Sequence, residues 1–210
     1  LLTPEELDAK MRSLTGFSWG HAGISLGSYY TQFSDRYGIY YGGIDSFSVT
    51  ERAREINTLM SNVVQRQANQ MACHTAVMDF ALPDGNRRLF NNISRIDTPT
   101  SISAEGGNGS SKIKEVLQIL HFQMLGEQLA VDSVELQYSY DLLVELWQQR
   151  QTLHPGASAQ NWPIENECNI PVDDYWGDDS SDELSDPQNM LGTWANMLVY
   201  FMTDYKFLHE

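Results

Sequence analysis

A chain of 210 residues with 28 acidic and 13 basic side chains carries a formal charge of −15. That balance argues against nucleic acid and anionic lipid as partners, because both need neutralising cations. It suits a protein partner with a basic surface, a bound cation or plain solubility. A hydrophobic content of 41% with 11% aromatic residues is that of a folded chain able to bury a sizeable core, not of a disordered one.

The chain opens Leu1-Leu2-Thr3-Pro4 without an initiator methionine, which fits a trimmed boundary and removal of an export signal equally well. Thr3-Pro4-Glu5-Glu6 then supplies a cap, a proline at the first helical position and a glutamate at the third, so the first helix starts there. Phe17 to Phe47 is rich in glycine and tyrosine and reads as irregular, with a short helix around Ser28 to Tyr37. Tyr29, Tyr30, Phe33, Tyr37, Tyr40 and Tyr41, followed by Gly42-Gly43, form an aromatic loop. A tyrosine ring has an apolar face and a polar tip, which suits sugars and protein interfaces alike. Packing under the Gly-Gly turn is the preferred reading, and a binding surface made of Tyr29, Tyr30, Tyr37, Tyr40 and Tyr41 is the other.

Ser48-Val49-Thr50-Glu51 has the pattern of a capping box and is expected to open the longest helix, running to about Phe80. Its stripe runs Ile56, Met60, Val63, Gln67, Met71, His74 and Met78, with Gln70 beside it. Gln67, Gln70 and His74 should therefore point where the apolar residues point, and buried amides and imidazoles need partners. They read as a satisfied polar cluster at a helix crossing, with a polar pocket or a ligand histidine as the alternative. Cys73-His74 also resembles the end of a c-type haem attachment site, but the second cysteine would fall at position 70, which is glutamine. No cofactor is expected, with haem and calcium as the minor alternatives. The favoured role for Cys73 is a disulfide to Cys168, since two cysteines make one long-range staple in an oxidising compartment.

Asp97 to Ser111 reads as a Ser/Gly/Thr loop. After it, Ile113, Val116, Leu117, Leu120 and Met124 form one helical stripe, and Leu136, Tyr140, Leu143 and Trp147 form a second behind the start signal Asp132 to Glu135. Residues 154–187 are an acidic excursion with four prolines, unusually long for a compact domain unless it is functional or tied down. A bond from Cys168 to Cys73 would tie it down. Asp173, Asp174, Asp178, Asp179 and Asp182 could wrap calcium, but EF-hand spacing is absent and a solvated charge run is the simpler reading. Asp186-Pro187 marks the last helix start, with Leu191, Trp194, Leu198, Phe201, Tyr205 and Leu208 as its stripe. No run is long and apolar enough to cross a bilayer, which leaves peripheral association open. The expected fold is all-α: one domain over residues 1–210, an irregular bundle of five or six helices with the acidic insertion.

Catalytic templates fail. There is no Gly-x-Ser-x-Gly elbow, phosphate-binding glycine loop, HExxH or Cys-x-x-Cys, and His21, His74, His121, His154 and His209 are scattered. No catalytic residue is assigned.

Tyr40-Tyr41-Gly42-Gly43-Ile44-Asp45-Ser46, Val49-Thr50-Glu51-Arg52, the run from Met71-Ala72-Cys73 to Asp79-Phe80, and the ending Thr203 to Glu210 together resemble the C-terminal region of uncharacterised exported bacterial proteins found in cytochrome c-rich genomes. The resemblance spans most of the chain. It implies export to the periplasm or beyond, favours the disulfide, and suggests a place in a larger periplasmic assembly. The leading expectation is a non-catalytic accessory or structural subunit of an exported complex, with a link to electron transfer. A metal- or haem-binding enzyme component using His74 or the Asp173 to Asp186 cluster is the second reading. A carbohydrate-binding module working through the Tyr29 to Tyr41 loop is the third.

Overall fold

A computed structural model describes residues 1–20, 23–25, 32–45, 47–101, 109–154 and 186–209. These residues hold six α-helices and one short antiparallel hairpin, so the chain is all-α in class. Helix α1 spans Pro4–Thr15, α2 Thr58–Ala81, α3 Gly109–Leu125, α4 Val134–Leu153, α5 Met190–Met202 and α6 Tyr205–His209.

The start of α1 is set by the residues that signal it. Thr3 Oγ1 accepts from Glu6 N at 3.2 Å while Glu6 Oε2 accepts from Thr3 N at 2.8 Å, a reciprocal capping box. Gly16, at φ 89°, ends the helix by donating its N–H to the Arg12 carbonyl. The hairpin of β1 (Ser18–Gly20) and β2 (Gly23–Ser25) pairs Trp19 with Ile24. A single π-helical turn, Phe33–Tyr37, closes through Gly38 N to Phe33 O at 2.8 Å. The short helix expected around Ser28 to Tyr37 is present over Phe33–Tyr37 as this π-helical turn. Residues 26–31 lie outside the described residues.

The long helix starts later than the Ser48 to Glu51 pattern suggests. Asp45 Oδ1 accepts from the backbone N of Phe47, Ser48 and Val49, each at 2.8 Å, and Asp45 Oδ2 takes the Ser48 hydroxyl at 2.5 Å. A carboxylate is the stronger acceptor and organises this stretch as a turn. Helix α2 begins after Asn57, whose side chain accepts from Met60 N at 3.0 Å.

Helices α2 and α5 make the most extensive helix–helix contact among the described elements. In α5 every residue from Met190 to Ala195 is buried, as are Met197, Leu198, Phe201 and Met202. In the second half of α2, Met71, Ala72, His74, Thr75, Ala76, Val77, Asp79 and Phe80 are all buried. Helices apolar almost all round must be enclosed on every side. Helix α3 supplies Ile113, Val116, Leu117, Leu120 and Met124, and α4 Leu136 and Leu143, as their periodicity requires. Tyr140 and Trp147 are only partly buried. Phe80 stacks on Phe90 with centroids 4.7 Å apart, and Phe90 meets Trp194 at 5.2 Å. The last stripe breaks at Thr203–Asp204, so Tyr205 is exposed while Phe207 and Leu208 turn inward. Leu2 N donates to Leu208 O at 2.8 Å, tying α6 to the start of the chain.

Two buried carboxylates hold the ends of the central helices. Asp186 does not open α5 directly. It lies four residues upstream, accepts from Leu191 N at 3.0 Å and Gly192 N at 2.9 Å, and faces Arg150 at 3.9 Å. Negative charge at a helix N-terminus also meets the macrodipole favourably. Asp79, near the end of α2, accepts from Arg88 N at 2.7 Å, Leu89 N at 3.0 Å and Phe90 N at 2.9 Å. This pins the loop that seats Leu89 and Phe90 in the core. Replacing Asp79 by Asn turns one acceptor into a donor aimed at backbone N–H groups. Asp79→Asn is expected to cost about 2–3 kcal/mol in urea unfolding. Unchanged stability would mean that this loop is held by its apolar contacts alone.

Candidate functional site

The polar residues anticipated on α2 divide between two environments. Gln67 and His74 are 2% exposed and belong to the core face. Gln67 Nε2 is buried without a hydrogen-bond partner among the described residues. Gln70 turns outward instead, and its Oε1 accepts from Trp19 Nε1 at 2.6 Å. Cys73 is half-buried on the same helix and is disulfide-bonded rather than a free thiol. Cys168 lies outside the described residues, as do Tyr29, Tyr30 and the calcium candidates Asp173, Asp174, Asp178, Asp179 and Asp182. Among the described residues, no group of three or more His, Cys, Asp or Glu side chains is placed to hold a metal ion.

The aromatic loop separates in the same way. Tyr41 is 1% exposed and packs in the core against Phe33, where burial pushes its hydroxyl pKa up. Tyr37 stacks on Trp19 at 5.0 Å, and Tyr40 stands 51% exposed beside it with ring centroids 6.4 Å apart. The chain of contacts is continuous: Gln70 fixes Trp19, Trp19 backs Tyr37, and Tyr37 abuts Tyr40. Together with the outer face of α2 these two rings bound an open groove of about 700 Å³, within the usual size of small-molecule sites. Asn62, Gln65, Arg66 and Asn69, spaced as i, i+3, i+4 and i+7, line its floor with Leu59 at one end. Gln65 Nε2 donates to Asn69 Oδ1 at 3.2 Å, and the Arg66 guanidinium lies over the Tyr37 ring at 5.6 Å. Among the described residues, no carboxylate lines the groove. This composition offers ring faces for stacking and amides that both donate and accept.

No protein-family model, curated protein or solved structure matches this chain. The site therefore stands on its own geometry.

A second polar constellation has no counterpart in the sequence motifs. His121 Nε2 lies 2.8 Å from Ser139 Oγ, and His121 Nδ1 lies 2.7 Å from Glu127 Oε2. The other Glu127 oxygen binds Lys206 of α6. The order hydroxyl, imidazole, carboxylate is that of an activated nucleophile. Here, however, Ser139 and His121 are each 3% exposed, sealed between α3 and α4, with Phe201 edge-on to the imidazole at 5.0 Å. A substrate carbonyl has no approach to Ser139 in this packing, so the arrangement joins α3, α4 and α6 through satisfied polar groups. Its signal in the sequence was phase. His121 falls on the stripe of Leu117 and Met124, and Ser139 on that of Leu136 and Leu143, so both had to be buried and to find partners.

Burial pushes the Glu127 pKa up, but hydrogen bonds from Lys206 and His121, with their charges, outweigh it and hold the carboxyl below its usual 4.5. A depressed folded pKa gives stability that is complete above the unfolded value and is lost as pH falls through the folded one. Glu127→Gln should therefore destabilise the protein by about 1–2 kcal/mol at pH 7. The gap should close as pH drops below about 4, which urea melts across that range would show. A pH-independent gap would assign the loss to packing.

Proposed function

We propose that this chain is a non-catalytic accessory domain of an exported assembly, and that its working surface is the Tyr37–Tyr40 groove, where it binds carbohydrate. One observation carries this reading: in a chain with 28 acidic residues, the described lining of one open groove holds two tyrosines and a row of carboxamides and no carboxylate. Sugar rings present C–H faces that lie on tyrosine, and hydroxyls that both give and take hydrogen bonds as amides do. The site is also preorganised. Tyr37 is backed by Trp19, which is fully buried and hydrogen-bonded to Gln70, so little side-chain freedom is lost on binding.

Export is supported by the resemblance of the Tyr40 to Arg52 and Met71 to Phe80 stretches to exported bacterial proteins, and by a Cys73 that is disulfide-bonded. We assign its partner as Cys168, the only other cysteine. The acidic remainder of the surface suits a basic partner subunit, an attraction that added salt would weaken. No helix among the described residues is long and apolar enough to cross a membrane.

Calorimetric titration with neutral oligosaccharides (cello-, xylo- and chito-series), guided by a glycan array, tests the proposal. At least one glycan is expected to bind, and Tyr40→Ala should weaken it roughly three- to tenfold without moving the thermal midpoint, since Tyr40 is half exposed. Silence across the array, neutral and acidic sugars included, overturns the reading.

A further inference from the structure

Arg66 is out of place in a purely neutral groove. Among the described residues, six of the thirteen Lys and Arg side chains (Arg12, Arg52, Arg87, Lys112, Arg150 and Lys206) face a carboxylate. Arg66 has no such partner among the described residues, and its guanidinium rests over Tyr37 inside the groove. The surrounding sequence withholds partners as well. Thr58 to Met78 is a run of α2 without a single Asp or Glu, and Arg66 is its only Lys or Arg. A cation held by a ring face, in a groove whose described lining has no carboxylate, has the charge of a site for one anionic group. Phosphodiester chains need several cations to overcome a charge of −15, and here there is one.

Resting on the carbohydrate reading above, we propose that the groove is specific for an acidic sugar, a uronate, whose ring carboxylate pairs with Arg66. The guanidinium is planar and presents parallel N–H donors that match the two oxygens of a carboxylate. Its stack on Tyr37 fixes the plane of that fork. A pyranose lying on Tyr40 would place its hydroxyls toward the Asn62 and Asn69 amides while its carboxylate reaches the guanidinium. The tyrosines and amides hold the sugar, and Arg66 selects its charge.

The test is calorimetric titration of the whole chain with oligogalacturonate and oligomannuronate, each beside its methyl ester, which keeps size and hydroxyls and removes the charge. At least one free acid is expected to bind tenfold or more tightly than its ester. Arg66→Gln should erase that preference, so that acid and ester bind the variant equally. Arg66→Lys, which keeps the charge but loses the fork, should retain only part of the preference. Equal binding of acid and ester, or binding of neutral sugars alone, overturns the uronate assignment and leaves the carbohydrate reading standing. A preference that survives Arg66→Gln overturns the role of Arg66. No binding by any acid, ester or neutral sugar overturns both.

Discussion

The packing of α5 against α2 is the constraint from which the rest of the molecule follows. Both helices are apolar on nearly every side where they meet, and such helices are stable in water only when enclosed. Helices α3 and α4 cover part of that surface. The Leu89–Phe90 loop, drawn in by Asp79, covers another, with Phe90 between Phe80 and Trp194. A buried aromatic side chain contributes on the order of 2–3 kcal/mol, so the three hydrogen bonds to Asp79 matter chiefly by deciding which rings occupy the core.

Enclosure is nearly complete over the second half of α2, where Cys73 and Met78 alone are partly buried between Met71 and Phe80. Over the first half the core side is buried through Met60, Val63, Val64, Gln67 and Ala68, while Asn62, Gln65, Arg66 and Asn69 remain outside. One rigid helix thus carries the core at one end and the candidate site at the other. Trp19 links the two: it is fully buried, meets Phe33 edge-on at 5.3 Å and supports Tyr37 at the groove wall. A site built on a helix and backed by core rings is held more exactingly than one on a free loop, and that is what selective stacking on Tyr40 requires.

Elements whose information is periodic could be read from the sequence. The stripes of α3 and α5 needed only a 3.6-residue repeat, with a charged far side in α3 alone. The start of α2 could not be read because two local patterns competed. Ser48 to Glu51 satisfies the capping-box rule, yet the Asp45 carboxylate, three residues before Ser48, takes both the Ser48 N–H and the Ser48 hydroxyl that the box would use. Such a contest is settled by relative acceptor strength and by where the chain must turn, neither of which the four-residue motif encodes. The hairpin at Ser18–Ser25 is three residues on each side, too short for alternation to register.

Half of the groove was legible and half was not. Tyr37 and Tyr40 declared themselves as part of an aromatic loop, but Tyr41, identical in type and adjacent, went to the core, because neighbouring residues of a tight turn face different ways. The α2 side carried no such signal: a polar row at i, i+3, i+4 and i+7 looks like an ordinary solvated face. What distinguishes it is the charge it lacks. In a sequence where more than one residue in eight is acidic, 21 consecutive positions without a carboxylate, Thr58 to Met78, depart from the surrounding composition. The buried half of that run is neutral because burial penalises charge. Its exposed half has no such reason, and water would accept Asp or Glu there at little cost. An exposed helix face without carboxylates in so acidic a chain, beside two tyrosines and around one arginine, is what the proposed binding site would require.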